Sequence, residues 1–163
     1  MMRKQIQRLL HEERGIAVVI FAAALPVFIL IAGLVIDGGM LIYKKVKLSA
    51  AVDAASLAAV NSYNKEKWNA EQVVELDDTT VALAAAQYLL ANMQDAQLTD
   101  ARIEERTESA IKVSVAGQVT VPLHFMGIFN MPSQVLEAQT SSSLSIPEQK
   151  DTVSEGGEEV PET

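Results

Sequence analysis

Few side chains in this sequence have the types and spacing that catalysis or metal binding requires. His11 lies before a long apolar run and His124 far beyond it, so the two imidazoles should not share a metal ion. His124 lies among apolar residues, and we expect it to be a partly buried packing residue. The adjacent acids at 77–78 suit a helix cap, and those at 104–105 point to opposite faces of a strand, so neither forms an acid–base pair.

The remaining chemical signatures are absent from the sequence. It contains no glycine-rich phosphate loop, no Ser/His/Asp order and no zinc-ligand spacing. Cysteine is absent, which excludes disulfides and thiol nucleophiles. The net charge of −8 makes nucleic acid an improbable partner. We therefore predict a protein that is not an enzyme and that uses no cofactor, metal ion, nucleic acid or small-molecule substrate.

The apolar run at residues 16–36 carries no charge, and as a helix it would measure roughly 31 Å at about 1.5 Å per residue. That length matches the hydrocarbon core of a bilayer. A secretory leader has a shorter apolar region followed by a small-x-small site, and this run meets neither condition. We predict a permanent transmembrane helix over residues 15–37. Pro26 should kink it near Ala22, either as a functional hinge or incidentally.

The flanking charges indicate the orientation of this helix. Four basic residues precede it, at positions 3, 4, 8 and 14, and three follow, at positions 44, 45 and 47. This small excess and the long C-terminal region favour a cytoplasmic N-terminus. We predict a single-pass protein of the cytoplasmic membrane, with a cytoplasmic segment at 1–14, an exported domain at 38–144 and an acidic, disordered tail at 145–163.

Helical spacing continues after Asp37, the predicted membrane exit. Apolar residues repeat at 34, 41, 48 and 55, which predicts one long helix with a weak point at the glycines 38 and 39. Alanines at 50, 54 and 58 and at 51, 55 and 59 form two rows that permit close packing, either on the protein's own sheet or on a helix of another subunit. Asp53 is the one charge among them, and it belongs to a solvated face or faces a partner's donor.

The rest of the sequence predicts a second helix and a small sheet. The cap residues 77–79 precede a helix whose inward stripe is expected to contain Val81, Ala84, Ala85, Tyr88, Leu89 and Met93. Residues 61–69 read as a polar turn. Alternating residues predict strands at 101–103, 111–121 and 134–144, with Gly117 at a bulge or bend and Pro122 at the start of a short apolar helix. The fold class is α+β: a transmembrane helix that extends into a long exported helix, packed with a second helix on an antiparallel sheet, as in pilins.

Residues 14–60 resemble the N-terminal domain of the TadE/TadG-like proteins of tight-adherence (Flp-type) pilus assembly. The resemblance rests on a glycine before an Ala-Val-Ile-Phe-like start, Leu-Pro in the apolar run, Asp-x-Gly after it, and a Leu-x-x-Ala-x-Asp-Ala-Ala-x-Leu-Ala-Ala run. It implies a role in pilus assembly and an exported domain that ends in a phenylalanine-containing short helix and a strand. The residues assigned to membrane exit and helix packing are Asp37, Gly39, Leu48, Asp53, Ala54, Ala55 and Ala58.

Gly15 and Ile16 could form a prepilin-type processing site. Processed prepilins usually carry glutamate at the fifth mature position, where it neutralises the amino terminus of a neighbouring subunit, but here that position is Ile20. The chain is thus more similar to the TadG type than to a processed pseudopilin. It is too short for the large von Willebrand A-like domain of longer TadG proteins.

The function expected from this resemblance is that of a membrane-anchored component of a Flp-type pilus assembly or related secretion apparatus, serving cell adhesion through protein–protein contacts. Its partners would be the bilayer and other pilus-assembly or envelope proteins. The alternatives are a minor pseudopilin processed after Gly15 and a generic single-pass envelope interaction protein.

Overall fold

The described part of the chain forms three α-helices, one 3-10 helix and one three-stranded sheet. The computed structural model describes residues 2–71 and 73–146, with side chains in 15–71 and 73–146. The elements are α1 (Met2–Val60), α2 (Lys65–Glu71), α3 (Asp78–Asn92), β1 (Gln97–Arg106), β2 (Ala110–Pro122), a 3-10 helix (Met126–Phe129) and β3 (Ser133–Ser145). This confirms the predicted α+β class, with a long apolar N-terminal helix and an antiparallel sheet. The predicted tail begins at the last residue of β3, and its residues 147–163 lie outside the described residues.

Helix α1 is uninterrupted, although it contains Pro26 and the glycines 38 and 39. Among the described residues one helix, at Gly15–Val60, is long and apolar enough to cross a membrane, and its most apolar window has a mean hydropathy of 2.9. Only 6% of that window is buried, in contrast to the core helix of a soluble protein. The apolar run of α1 is therefore largely uncovered by the described part of the chain. The kink at Pro26 stays a prediction.

Helix α2 lies in the stretch that the sequence analysis read as a polar turn. The side-chain oxygen of Asn64 accepts hydrogen bonds from the backbone N–H groups of Glu66 at 3.0 Å and Lys67 at 3.2 Å. Asn64 thus caps a short helix, as asparagine commonly does at this position. Helix α1 ends before this polar stretch, as predicted, but the stretch is not a turn throughout, because Asn64 caps a short helix within it.

Helix α3 begins where the acidic cap predicted it. Asp77 has extended backbone angles, and its Oδ1 accepts the backbone N–H of Thr80 at 2.6 Å. Val81, Ala85, Leu89 and Met93 are buried, as expected of an inward stripe. Tyr88 was expected on that stripe and is instead half exposed. The four buried residues are spaced four apart, so the buried face turns gradually around α3 and leaves Tyr88 at its margin.

The Asp77 cap makes stability depend on pH. Hydrogen bonds from the backbone and side chain of Thr80 lower the pKa of Asp77 below its ordinary value of 3.8. A carboxylate with a lowered folded-state pKa stabilises the fold above its unfolded pKa, and this contribution is lost as the pH falls through the folded-state pKa. We therefore expect Asp77→Asn, which keeps a cap but cannot titrate, to flatten the acid limb of a melting-temperature profile. Glu108→Gln, which removes a carboxyl from the exposed β1–β2 turn, is the control variant. An acid limb as steep in Asp77→Asn as in this control would contradict the role of the cap.

The sheet is an antiparallel meander in the order β1-β2-β3, with α1 and α3 packed on one face. Helix α1 lies over β2 and β3, and α3 lies beside it over β1. The other face is polar: on it Lys112 pairs with Glu104 at 3.0 Å, and Ser141 donates to the same carboxylate at 3.1 Å. The buried apolar residues of β2 that line the helix-covered face are Ile111, Val113, Val115, Val119 and Val121.

Helix α3 runs antiparallel to the C-terminal half of α1. Near the start of α3, the carbonyl of Glu75 accepts the N–H of Asn64, just beyond the end of α1, at 3.1 Å. Beyond the end of α3, the Asp95 carboxylate pairs with the Lys44 ammonium. The start of α3 therefore lies far from the apolar run of α1, and its end lies close to that run.

Strand β3 runs in the same direction as α1. Near its start, the carbonyl of Glu137 accepts a hydrogen bond from the Lys45 ammonium. Further on, the Ser142 hydroxyl accepts from the Ser56 hydroxyl at 2.7 Å. The loop that joins β2 to β3 therefore lies at the end of the sheet nearest the apolar run, and the β1–β2 turn lies at the opposite end.

Gly117 was predicted at a bulge or bend. It is not the extra residue of a bulge itself, but it lies opposite one, since Leu98 pairs with Gly117 and Asp100 pairs with Ala116. The irregularities of the sheet lie in β1, between Leu98 and Asp100 and between Ile103 and Glu105. Gly117 also lies where both helices approach β2: an added Cβ would be 3.2 Å from Val52 Cγ2 and 3.3 Å from Leu89 Cδ2. The missing side chain thus allows α1 and α3 to pack against the centre of the sheet.

Gly117→Ala should destabilise the fold by about 1–3 kcal/mol, the usual cost of overpacking a filled core. The added Cβ would also lie 3.3 Å from the backbone oxygen of Gln97, which cannot rotate away as a side chain can. Chemical denaturation in detergent measures the effect. Gly38→Ala is the matched control, because nothing lies within 4 Å of its added Cβ, and it should not destabilise. Equal midpoints for the two variants would contradict this packing role.

Candidate functional site

Asp37 is buried in the contact between α1 and the loop that joins β2 to β3 (the 123–132 loop). Its side chain is only 1% exposed. Oδ1 accepts the backbone N–H of His124 at 3.0 Å, and Oδ2 accepts those of Phe125 at 2.8 Å and Met126 at 2.7 Å. Three charge-assisted hydrogen bonds therefore tie α1 to a loop almost ninety residues later in the chain.

The 123–132 loop offers these N–H groups because it contains a short 3-10 helix. The first N–H groups of a helix have no partner within it. The Asp37 carboxylate, which lies on α1, supplies the acceptors that these N–H groups lack. The other end of the 3-10 helix is closed by Asn130, which adopts the left-handed conformation (φ 62°), and its N–H donates to the carbonyls of Gly127 and Met126. The N–H of Leu123 donates to the carbonyl of Pro132 at 2.8 Å and closes the loop.

The 3-10 helix begins at Met126, four residues later than the start predicted at Pro122. Pro122 was expected at the first helical position, but it is the last residue of β2, opposite Ser133. The earlier helix start was wrong because proline is equally compatible with a strand end, where its missing N–H costs no ladder bond.

Gly33 forms the second contact between α1 and this loop. The Phe125 ring lies directly on the helix backbone: a Cβ added to Gly33 would be 2.3 Å from ring atoms Cγ and Cδ1 and 2.7 Å from the Phe125 Cβ. Gly33 and Asp37 are four residues apart and so share one face of α1. A glycine that admits an aromatic ring and a carboxylate that caps a short helix together dock the loop.

Because Asp37 is buried, contact of its carboxylate with water is not a reason to place the membrane exit there. We predicted that α1 meets water at this carboxylate, yet its oxygens accept hydrogen bonds from backbone N–H groups and are shielded from solvent. With Asp37 covered, the exposed surface of α1 carries no charge from Ile16 to Tyr43, a length of roughly 42 Å as a helix. The exit at Asp37 stays a prediction.

The other residues assigned to helix packing divide between two faces of α1. Leu48 and Ala55 are completely buried against the sheet and α3. Ala54 and Ala58 are partly buried, and Gly39 and Asp53 are exposed. Of the two alanine rows, the one at 51, 55 and 59 packs within this chain.

The opposite face of α1 has no partner within the described part of the chain. Ile42, Val46, Asp53 and Leu57 lie on it at helical spacing, and their side chains are exposed. We call these four residues the outer face of α1. Its three large apolar side chains surround one acid, a composition suited to contact with another protein.

The candidate processing site lies within α1. Gly15 and Ile16 are both exposed, and Pro26 is ten residues further along the same helix.

Of the remaining candidates for chemistry, His124 lies in the 123–132 loop, and the two acid pairs lie at the start of α3 and in β1. His124 is exposed rather than partly buried, so the prediction of a packing histidine was wrong. Its backbone N–H donates a hydrogen bond to Asp37. Within residues 15–71 and 73–146, no three His, Asp or Glu side chains are grouped so that they could hold a metal ion.

Sequence reasoning missed Gly33, Phe125 and the pairing of Asp37 with the loop. The available signal was an acid immediately after a long apolar run, with a glycine one turn before it. No local pattern could identify the partner, because it lies 87 to 89 residues away.

Comparison with protein families identifies the segment that contains Gly33 and Asp37. Residues 15–62 match the model of the Tad family, described as "Putative Flp pilus-assembly TadE/G-like". The matched segment covers α1 from Gly15 to its end and the first two residues after it. No curated protein and no solved structure matched the chain.

Proposed function

We propose that this protein is a membrane-anchored component of a Flp-type pilus assembly apparatus that acts through protein–protein contacts. The match of residues 15–62 to a pilus-assembly family is the observation that carries the proposal. In this proposal residues 15–37 of α1 cross the cytoplasmic membrane, the N-terminus is cytoplasmic and the α+β domain (residues 38–146) is exported. The exposed apolar surface of α1 supports the anchor.

The outer face of α1 is the surface proposed for contact with other pilus-assembly proteins. Its apolar residues lie beyond the apolar run and point away from the chain's own sheet. The acid among them, Asp53, has room for a partner's donor because both neighbours are small: Ala50 lies about one turn before it, and Ala54 follows it directly in sequence. A partner that fits this face would present an apolar helix with one basic or hydrogen-bond-donating side chain.

Variants on the outer face should weaken recovery of pilus-assembly proteins with the tagged full chain. Asp53→Ala and Leu57→Ser should each reduce co-purification by roughly tenfold if they remove central contacts. Leu83→Ser on α3 is the matched control, because Leu83 is 60% exposed and Leu57 is 57% exposed. Unchanged recovery with both outer-face variants would eliminate this face, and recovery of no envelope protein by the native chain would count against the assembly role.

The state of the N-terminus separates this proposal from the pseudopilin alternative. Ile20, in place of a charged fifth residue after the candidate cut, favours a retained TadG-type anchor. We expect the intact mass and N-terminal sequence of the membrane-extracted protein to show the original N-terminus. A new N-terminus at Ile16 would establish processing after Gly15 and overturn the permanent anchor.

A further inference from the structure

The 123–132 loop exposes large apolar side chains at its tip. Ile128 is 70% exposed, Phe129 is 65% exposed and Met131 is 43% exposed. They lie at the end of the sheet nearest the apolar run of α1. Exposed side chains of this size, clustered on one loop, mark a contact surface.

The position of this loop along α1 places its tip beside the apolar run. The Phe125 ring packs on Gly33, which is about 6 Å before Asp37 along the helix axis at about 1.5 Å per residue. Leu34 and Ile36 on the same stretch of α1 are exposed. A bilayer that surrounds residues 16–36 would therefore reach the depth at which the loop is docked.

The charges around the loop suit a lipid surface. Residues 123–132 contain no acid, lysine or arginine, and the Asp37 carboxylate beneath them is covered. The nearest basic residues on α1 are Lys44 and Lys45, about two turns beyond Asp37. Apolar and aromatic residues at the bilayer boundary with lysines just outside it are the usual order at a membrane interface.

We propose that the tip of the 123–132 loop, at Ile128 and Phe129, inserts into the leaflet from which α1 emerges, so that lipid is its partner. The inference rests on the membrane anchor of the proposed function. The loop is held firmly enough for this role, because Asp37 and Gly33 dock it on α1 and the Leu123–Pro132 hydrogen bond closes it. The α+β domain is then attached to the bilayer at two points, which fixes its orientation to the surface.

Single cysteines labelled with an environment-sensitive fluorophore test the insertion, since the chain has no cysteine of its own. The full chain carrying Ile128→Cys or Phe129→Cys is reconstituted into vesicles of phosphatidylcholine and phosphatidylglycerol. Nitroxides are attached to the lipids either near the headgroup or near the chain end. We expect a blue-shifted emission at both positions and stronger quenching by the headgroup-proximal nitroxide, because insertion should be shallow.

Labels at two reference positions test the membrane anchor separately from insertion of the loop tip. Val27→Cys, in the middle of the apolar run, should be quenched best by the nitroxide at the chain end. Leu83→Cys, on α3 near the end remote from the apolar run, should resemble a label in water. A lipid-like signal at position 27 with water-like signals at 128 and 129 would overturn the inference and retain the anchor. Water-like signals at all positions would overturn both.

A protein partner for the tip gives a different result. Labels at 128 and 129 would then be water-like in pure lipid vesicles and shielded only in native membranes that contain the other envelope proteins. That outcome also overturns lipid insertion.

Discussion

Replacing Asp37 with alanine should release the 123–132 loop from α1 and lower the melting temperature of the α+β domain by about 5–10 °C, in line with the loss of a helix-capping group. The substitution removes the acceptor for three backbone N–H groups, those of His124, Phe125 and Met126. Buried donors without an acceptor are costly, so the loop should detach to reach water. Circular dichroism in detergent measures the melting temperature, and amide exchange followed by mass spectrometry measures the loop.

Two further variants serve as comparisons for Asp37→Ala. Asp37→Asn keeps one carbonyl oxygen but loses the negative charge, and its effect should be intermediate. Asp53→Asn makes the same chemical change on the exposed outer face of α1 and should leave stability and loop exchange unchanged. If Asp37→Ala melted and exchanged like Asp53→Asn, the carboxylate would not hold the loop.

Gly33→Ala should displace the Phe125 ring and detach the same loop, at a cost of about 1–3 kcal/mol for overpacking. The added Cβ would overlap the ring at 2.3 Å, a separation that carbon atoms do not adopt without movement. In an ordinary helix the same substitution would stabilise by roughly 1 kcal/mol, so the expected sign is reversed here. Chemical denaturation and amide exchange of the loop provide the measurement.

A double-mutant cycle with Phe125→Gly isolates this contact. Glycine is required because the Phe125 Cβ would itself lie 2.7 Å from the added Cβ, so alanine at 125 would not clear the site. In the Phe125→Gly background, Gly33→Ala should no longer destabilise. Equal losses from Gly33→Ala in both backgrounds would show that the ring is not the obstacle.

Local features of this fold were predictable because their causes lie within a few residues. The Asp77 cap and the spacing of Val81, Ala85 and Leu89 define α3 without any distant contact. The alternation in 135–144 likewise gives β3 a partly buried and an exposed face. Short elements were harder, since α2 depends on one capping side chain, Asn64, in an otherwise polar stretch.

The candidate site was less predictable because its residues act through partners far away in sequence. Asp37 was noticed as an acid beside an apolar run, and only the fold revealed that backbone N–H groups of a later loop cover it. Gly117 was noticed as an irregular residue, and only the packing of Val52 and Leu89 revealed why a side chain is excluded. The sequence therefore indicated that both positions are unusual, but it did not identify the distant residues that contact them.

In the proposed membrane-anchored protein, the uncharged surface of α1 has one length before the chain folds and another afterwards, because Asp37 and its donors lie far apart in sequence. Before residues 124–126 have been synthesised and the sheet has formed, the Asp37 carboxylate has none of its donors and must be hydrated, which limits the apolar part of α1 to residues 16–36. Docking of the loop then conceals the charge and extends the uncharged surface to Tyr43, by roughly 10 Å along the helix. We therefore expect completion of the fold to change the hydrophobic match between α1 and the bilayer. An arrested chain that ends before residue 123 should hold Asp37 in water, and the finished chain should not.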